Sequence, residues 1–262
     1  MRYKLADNAK PQAMLLVIAT LITIGLWFIP YADYLVYPVR LFVTFIHESS
    51  HALVAFITGG SVQSLTIASD GSGVVYSAAS GWFSGLLTSS AGYLGTTVFG
   101  VLMLLLIRRS VSPNKVLFAS GALIALVTLL FGLISPAFHL FSLNVGISSI
   151  AFTIVAGTLL SAALIGLAKF AGLRAANFAV AFLAIQCLLN SLSDLKTVFF
   201  INAPFVGTDI GNDATNMANS TGVPAVLWVV VWIVISVVLI SLGLRLYATS
   251  STAKPDDSVF ED

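Results

Sequence analysis

Phe45-Ile46-His47-Glu48-Ser49-Ser50-His51-Ala52-Leu53-Val54 sets ionisable groups inside an apolar run, and the rest of the chain is read outward from it. His47 and His51 are four residues apart, so on an α-helix both imidazoles leave nearly the same face and can hold one metal ion. Glu48 then stands beside the ion rather than on it. In His-Glu-x-x-His sites the histidines bind zinc, while the glutamate takes a proton from the water that the ion activates and delivers it to the leaving group. The chemistry implied is hydrolytic. Composition makes a chance arrangement a poor account, because the chain has 3 His and its glutamates are Glu48 and Glu261 alone. Ionisable groups at membrane depth are expensive and mark working sites.

The surroundings of the motif are those of a membrane. Hydrophobic residues make up 58% of the chain and charged ones 9%, against about 25% charged in an ordinary soluble domain. Mean hydropathy is +1.00. Apolar segments long enough to cross a hydrocarbon core, which takes about 20 helical residues, fall at 13–30, 35–58, 82–107, 116–134, 143–168, 175–200 and 224–246. The expected fold class is therefore all-α, a polytopic bundle of six to seven transmembrane helices embedded in the lipid bilayer. We expect one integral membrane domain over residues 1–262, with no PDZ module and a disordered tail from about 250 to 262. A formal net charge of +1, with no basic stripe, excludes nucleic acid as a partner. The one cysteine, Cys187, lies in an apolar run and allows no intramolecular disulfide.

After the motif the period changes from helical to alternating. Gly59-Gly60 ends the helix. Val62, Leu65 and Ile67, then Val74, Val75 and Tyr76, flank Ser69-Asp70-Gly71-Ser72-Gly73, which predicts two short strands and a turn. An exposed edge of such a hairpin can hold an extended substrate by strand addition. Segment 82–107 opens with small residues, Gly92 and Gly95 among them, and these predict close packing on the motif helix. Asp213 to Ala218 reads as a short capped helix ended by Gly222 and Pro224.

Two histidines do not complete a catalytic zinc site, which normally has three protein ligands and a water. The candidates for the third are Asp194, Asp213, Asp209 and His139. Depth favours Asp194. Segment 175–200 runs in the same direction as segment 35–58, and each carries its polar groups toward the same end.

His47-Glu48-Ser49-Ser50-His51-Ala52 followed by Gly59-Gly60, Gly92-Tyr93-Leu94-Gly95, and Asp213-Ala214 with Met217-Ala218, Thr221-Gly222 and Pro224 resemble the site-2 protease family of intramembrane zinc metallopeptidases. The likeness is to its small bacterial B-like branch and covers roughly residues 40–235. It implies that His47 and His51 bind Zn2+, that Glu48 is the general base, and that Asp194, an aspartate on a later transmembrane helix, is the third ligand. Asn190-Ser191-Leu192-Ser193-Asp194 departs from the family's Asn-Pro-Asp-Gly in lacking its proline and glycine. The implied activity is cleavage of a transmembrane or juxtamembrane segment of another protein, in a bacterial cell membrane. The rival reading is a non-catalytic membrane protein, a transporter or binding scaffold, that keeps the metal-site fold. Orientation draws opposed arguments. With seven crossings, Arg40, Arg108, Arg109, Lys115, Lys169, Arg174, Arg245 and Lys254 share one side, which the positive-inside rule makes cytoplasmic; the resemblance implies a site nearer the cytosol, at the other end.

Overall fold

The computed structural model describes residues 9–26, 29, 31–139, 146–202 and 211–248. Without water in the bilayer core, a crossing segment must satisfy its own backbone, and a helix does so within itself. Each of the seven apolar segments contains a helix: α1 (Ala9–Leu26), α2 (Ala32–Ile57), α3 (Trp82–Arg108), α4 (Pro113–Val127), α6 (Ile147–Phe170), α7 (Leu173–Ile201) and α9 (Ala225–Ala248). Two shorter helices are α5 (Ser135–Phe138) and α8 (Asp213–Thr221). α4 starts with proline at its first turn, where a missing N–H costs nothing. It continues through a π-helical stretch, Thr128–Ile134, into α5. Among the described residues, α3, the continuous helix Pro113–Phe138, α6, α7 and α9 are long and apolar enough to cross a membrane.

Among the described residues the chain is all-α except for one antiparallel hairpin, β1 (Ser61–Ile67) and β2 (Gly73–Ala78). Its register runs from Ser61 opposite Ala78 to Ile67 opposite Gly73, with an irregularity between Val62 and Ser64. Gly71 takes φ +85°, the left-handed turn conformation that glycine adopts without strain. The hairpin folds back along α2. The Tyr37 hydroxyl donates to Ser69 O at 2.7 Å and the Thr44 hydroxyl to Gly71 O at 2.9 Å, which pins the turn to the first half of that helix. β1 is largely buried, with Leu65 and Ile67 in the core beside Phe42, Phe45 and Ile46, while β2 is largely exposed. The outer edge of β1 is already used: Ile67 N–H donates to Thr153 Oγ1 at 2.7 Å, and Ser135 Oγ donates to Val62 O.

α3 runs antiparallel to α2 and carries the small-residue face expected of it. Thr58 and Ser84 share a hydroxyl hydrogen bond of 2.7 Å near the end where α2 stops. Further along, Gly95 lies against Ser50, and Gly100 against Leu188 and Ala184 of α7. The Ser191 hydroxyl of α7 donates to Tyr93 O at 3.0 Å, so α7 runs antiparallel to α3 and parallel to α2, as their spacing predicts. The tail over 250–262, Glu261 within it, and Asp209 lie outside the described residues.

Candidate metal centre

Helix α2 delivers His47 and His51 to one face through its 3.6-residue period. Their Nε2 atoms are 3.1 Å apart. Opposite them stands Asp213, whose Oδ2 is 3.5 Å from Nε2 of His47 and 3.2 Å from Nε2 of His51. Ligands about 2.0–2.1 Å from a tetrahedral zinc are separated by about 3.3 Å, so the three donors stand at the edges such an ion requires. They form the one group of its kind among the described residues.

The space for an ion is kept open by glycine. A Cβ built on Gly92 falls onto Nε2 of both His47 and His51, so any side chain there would occupy the centre. The imidazoles are also oriented. Nδ1–H of His51 donates to Thr88 O at 2.6 Å, and because a carbonyl only accepts, the proton lies on Nδ1 and leaves the Nε2 lone pair for a metal. His47 packs edge-on against Tyr93, ring centroids 4.8 Å apart, and Tyr93 in turn lies against Trp232 at 5.5 Å.

Asp213 arrives by a different device. It is in the first turn of α8, where a negative charge suits the helix dipole. Asn212 caps that turn, its Oδ1 accepting from Ala214 N–H at 3.0 Å and Thr215 N–H at 3.1 Å, while Asn212 N–H donates to Thr215 Oγ1 at 2.8 Å. Gly222 closes the other end at φ +73°. Trp82 of α3 donates to Ser220 O at 2.8 Å and Trp228 of α9 to Thr221 Oγ1 at 3.0 Å, and Ala214 and Met217 are buried against Tyr93 and Trp232. Burial pushes the Asp213 carboxyl up, while positive charge on the His51 and His47 rings, when they are protonated, holds it well below the usual carboxylate range. It is a carboxylate at neutral pH.

The carboxylate that stands with both histidines is Asp213; Asp194, expected there by depth, is not in that group. Its depth is as expected, since Ser191 one turn away bonds to Tyr93. It lines instead an adjoining cavity, together with His47, Glu48, Arg40 and Asn190. His139 stands apart from the cluster, its Nδ1–H donating to Ser135 O at 2.9 Å. The sequence reading missed the parts played by Thr88 and Tyr93. Asp213 was among the candidates, and the Asn-Asp-x-Thr cap, which places an acid at a helix start, is the sequence signal that sets it apart.

Glu48 is buried beside the cluster, on the side of Gly73, where a Cβ would come within 2.5 Å of Glu48 Cγ. In front of the four residues is a cavity of 460 Å³. Its walls are β2 on one side and Gly85, Thr88 and Ser89 of α3 with Asn216 of α8 on the other.

The helical bundle and the His-His-Asp cluster define the class: an integral membrane protein with a group that could hold a metal ion among its helices. The model of the Peptidase M50B-like family matches residues 15–243, and the chain belongs to that family, the branch of the site-2 proteases that its motifs resemble. No curated protein and no solved structure matches the chain.

Proposed function

We propose that the protein is a zinc metalloendopeptidase of the membrane, a bacterial cell membrane by its family likeness, and that it cleaves a transmembrane or juxtamembrane segment of another membrane protein. The observation that carries the reading is the set of three donor atoms at ligand separations with Glu48 beside them. His47, His51 and Asp213 would hold the ion. Bound zinc would supply Lewis acidity, making water a nucleophile at neutral pH and polarising the scissile carbonyl. Glu48 accepts the proton of the attacking water and returns it to the leaving amine. Thr88 keeps the His51 ring in its ligating tautomer, and Tyr93 fixes the His47 ring from the side.

Peptide bonds in a transmembrane helix are hydrogen-bonded, so a substrate must unwind before it is cut. β2 offers the unwound segment a partner. Its inner edge pairs with β1, and Val74, Val75 and Ser77 border the catalytic cavity. Strand addition there satisfies the substrate backbone at a depth where an unpaired group costs several kcal/mol.

The test is Glu48→Gln, which removes the base and spares the ligands. Cleavage of a single-span substrate by purified protein should fall by about 10²–10⁴-fold, with zinc content unchanged on the same samples. Full cleavage by the variant would refute the mechanism. A wild-type protein that holds zinc and cuts nothing across many substrates would favour the non-catalytic scaffold.

A further inference from the structure

A second cavity, of 260 Å³, has no part in the reaction as set out. It meets the larger one at His47, Glu48, Gly73 and Tyr93, which line both, and extends from there to Arg40, Asn190 and Asp194. The hairpin runs past the junction. Val74, Val75 and Ser77 border the larger cavity, whereas the turn residues Gly71 and Ser72 border the smaller. Gly73 marks the crossing, against the Glu48 side chain. A chain paired with the outer edge of β2 advances about 3.3 Å per residue, so a few residues carry it from one cavity, past the carboxylate, into the other.

We infer, on the reading of the site as a peptidase, that the smaller cavity is the substrate subsite on the far side of the scissile bond, and that Arg40 and Asp194 select an uncharged polar side chain there. Arg40 and Asp194 are both exposed and put opposite charges on the wall of this one cavity. Among the described residues neither Arg40 nor Asp194 is in a direct ion pair; His47 and then Arg40 act on the Asp194 carboxylate, and Arg40 also acts on Asp70 of the hairpin turn. A cationic substrate side chain would meet the Arg40 guanidinium, and an anionic one would meet Asp194 and Glu48. An apolar one would strip water from these groups and return no hydrogen bond. An amide or hydroxyl donates to the carboxylate and accepts from the guanidinium, so Asn, Gln, Ser and Thr answer both walls. The wall itself is fixed, because Thr44 and Tyr37 of α2 hold the hairpin turn by its carbonyls.

The experiment measures equilibrium binding to the full-length, zinc-loaded Glu48→Gln protein in detergent, so that no step depends on cleavage. The probes are fluorescent alanine-based peptide hydroxamates, anchored from either side of the centre and varied at the residue beside it among Asn, Leu, Asp and Lys. The Asn probe should bind on the order of tenfold tighter than the Leu probe, because a site built to hydrogen-bond rejects the group that cannot. Adding Arg40→Ala should shift the preference toward Lys, and adding Asp194→Ala should shift it toward Asp. Opposite shifts from two single changes are not what a merely structural role produces. Asp194→Asn, the gentler change, should move preference in the same direction as Asp194→Ala. Probe ranking unchanged in the Arg40 and Asp194 variants would overturn the subsite while leaving the peptidase reading in place. Failure of every probe on protein that demonstrably holds zinc would overturn both.

Discussion

The two halves of the metal centre are built in opposite ways. α2 is a 26-residue helix that carries its histidines within an apolar run, against a core that includes Phe42, Phe45 and Ile46. α8 has nine residues and only Ala214 and Met217 buried, and it is held by an Asn212 cap at one end and by Trp82 and Trp228 at the other. One half is positioned by burial along its length, the other by hydrogen bonds at its ends. Burial of apolar surface scales with area, whereas single hydrogen bonds add about 0.5–1.5 kcal/mol each. The α8 half is therefore where metal affinity is most easily tuned without unfolding the bundle.

The harshest challenge to that contrast is to remove a ligand from the α2 half. His51→Ala deletes a donor and the bond to Thr88 together, and His47→Ala deletes its neighbour on the same face. Zinc, expected at about one ion per chain in wild type, should be lost from both variants by elemental analysis after dialysis. Unchanged zinc in either would place the ion elsewhere. In the α8 half, Asp213→Ala should lower zinc affinity by more than the 10–100-fold typical of changes behind the ligands, and Asp194→Ala by much less. Competition with a metal-binding dye would read both, and the reverse order would return the third ligand to α7. The smallest effect is expected from Asn212→Ala, which leaves every ligand in place. Loss of an N-cap costs about 1 kcal/mol, which is roughly fivefold in affinity if all of it reaches the metal. No change at all would mean that Trp82, Trp228 and the buried face of α8 hold Asp213 without the cap.

The two halves also differ in how far the sequence discloses them. His47, Glu48 and His51 are legible because a helix fixes the relation of residues four apart, and nothing distant can alter it. The hairpin is legible for a similar reason: Val62 to Ile67 and Val74 to Tyr76 alternate around Asp70-Gly71, and the strands end within a few residues of those limits. Asp194 shows where such reasoning stops. Counting rise along antiparallel helices gives its depth correctly, but depth leaves rotation about the helix axis open, and α7 leaves Asp194 outside the His-His-Asp group, in a cavity it shares with His47, Glu48 and Arg40. Asp213 depends on a polar segment bringing the chain back to the cluster, which a count of apolar spans does not register. Its helix was readable from Asn212, Asp213 and Gly222, but the destination of that helix was not. Gly92 was read as a packing residue, yet its missing side chain is what leaves room between the imidazoles.

The one-sided hairpin has a consequence for turnover. Among the described residues, Ser135 and Thr153 occupy the outer edge of β1, so on the peptidase reading a substrate would add at β2 and be held by a ladder as well as by the metal. Hydrolysis breaks one covalent bond and none of the ladder. On that reading both fragments would keep most of their backbone pairing after the cut. The pace of repeated cleavage would then follow how readily a product peels away from β2, so that a substrate that pairs well is bound quickly, cut and surrendered slowly.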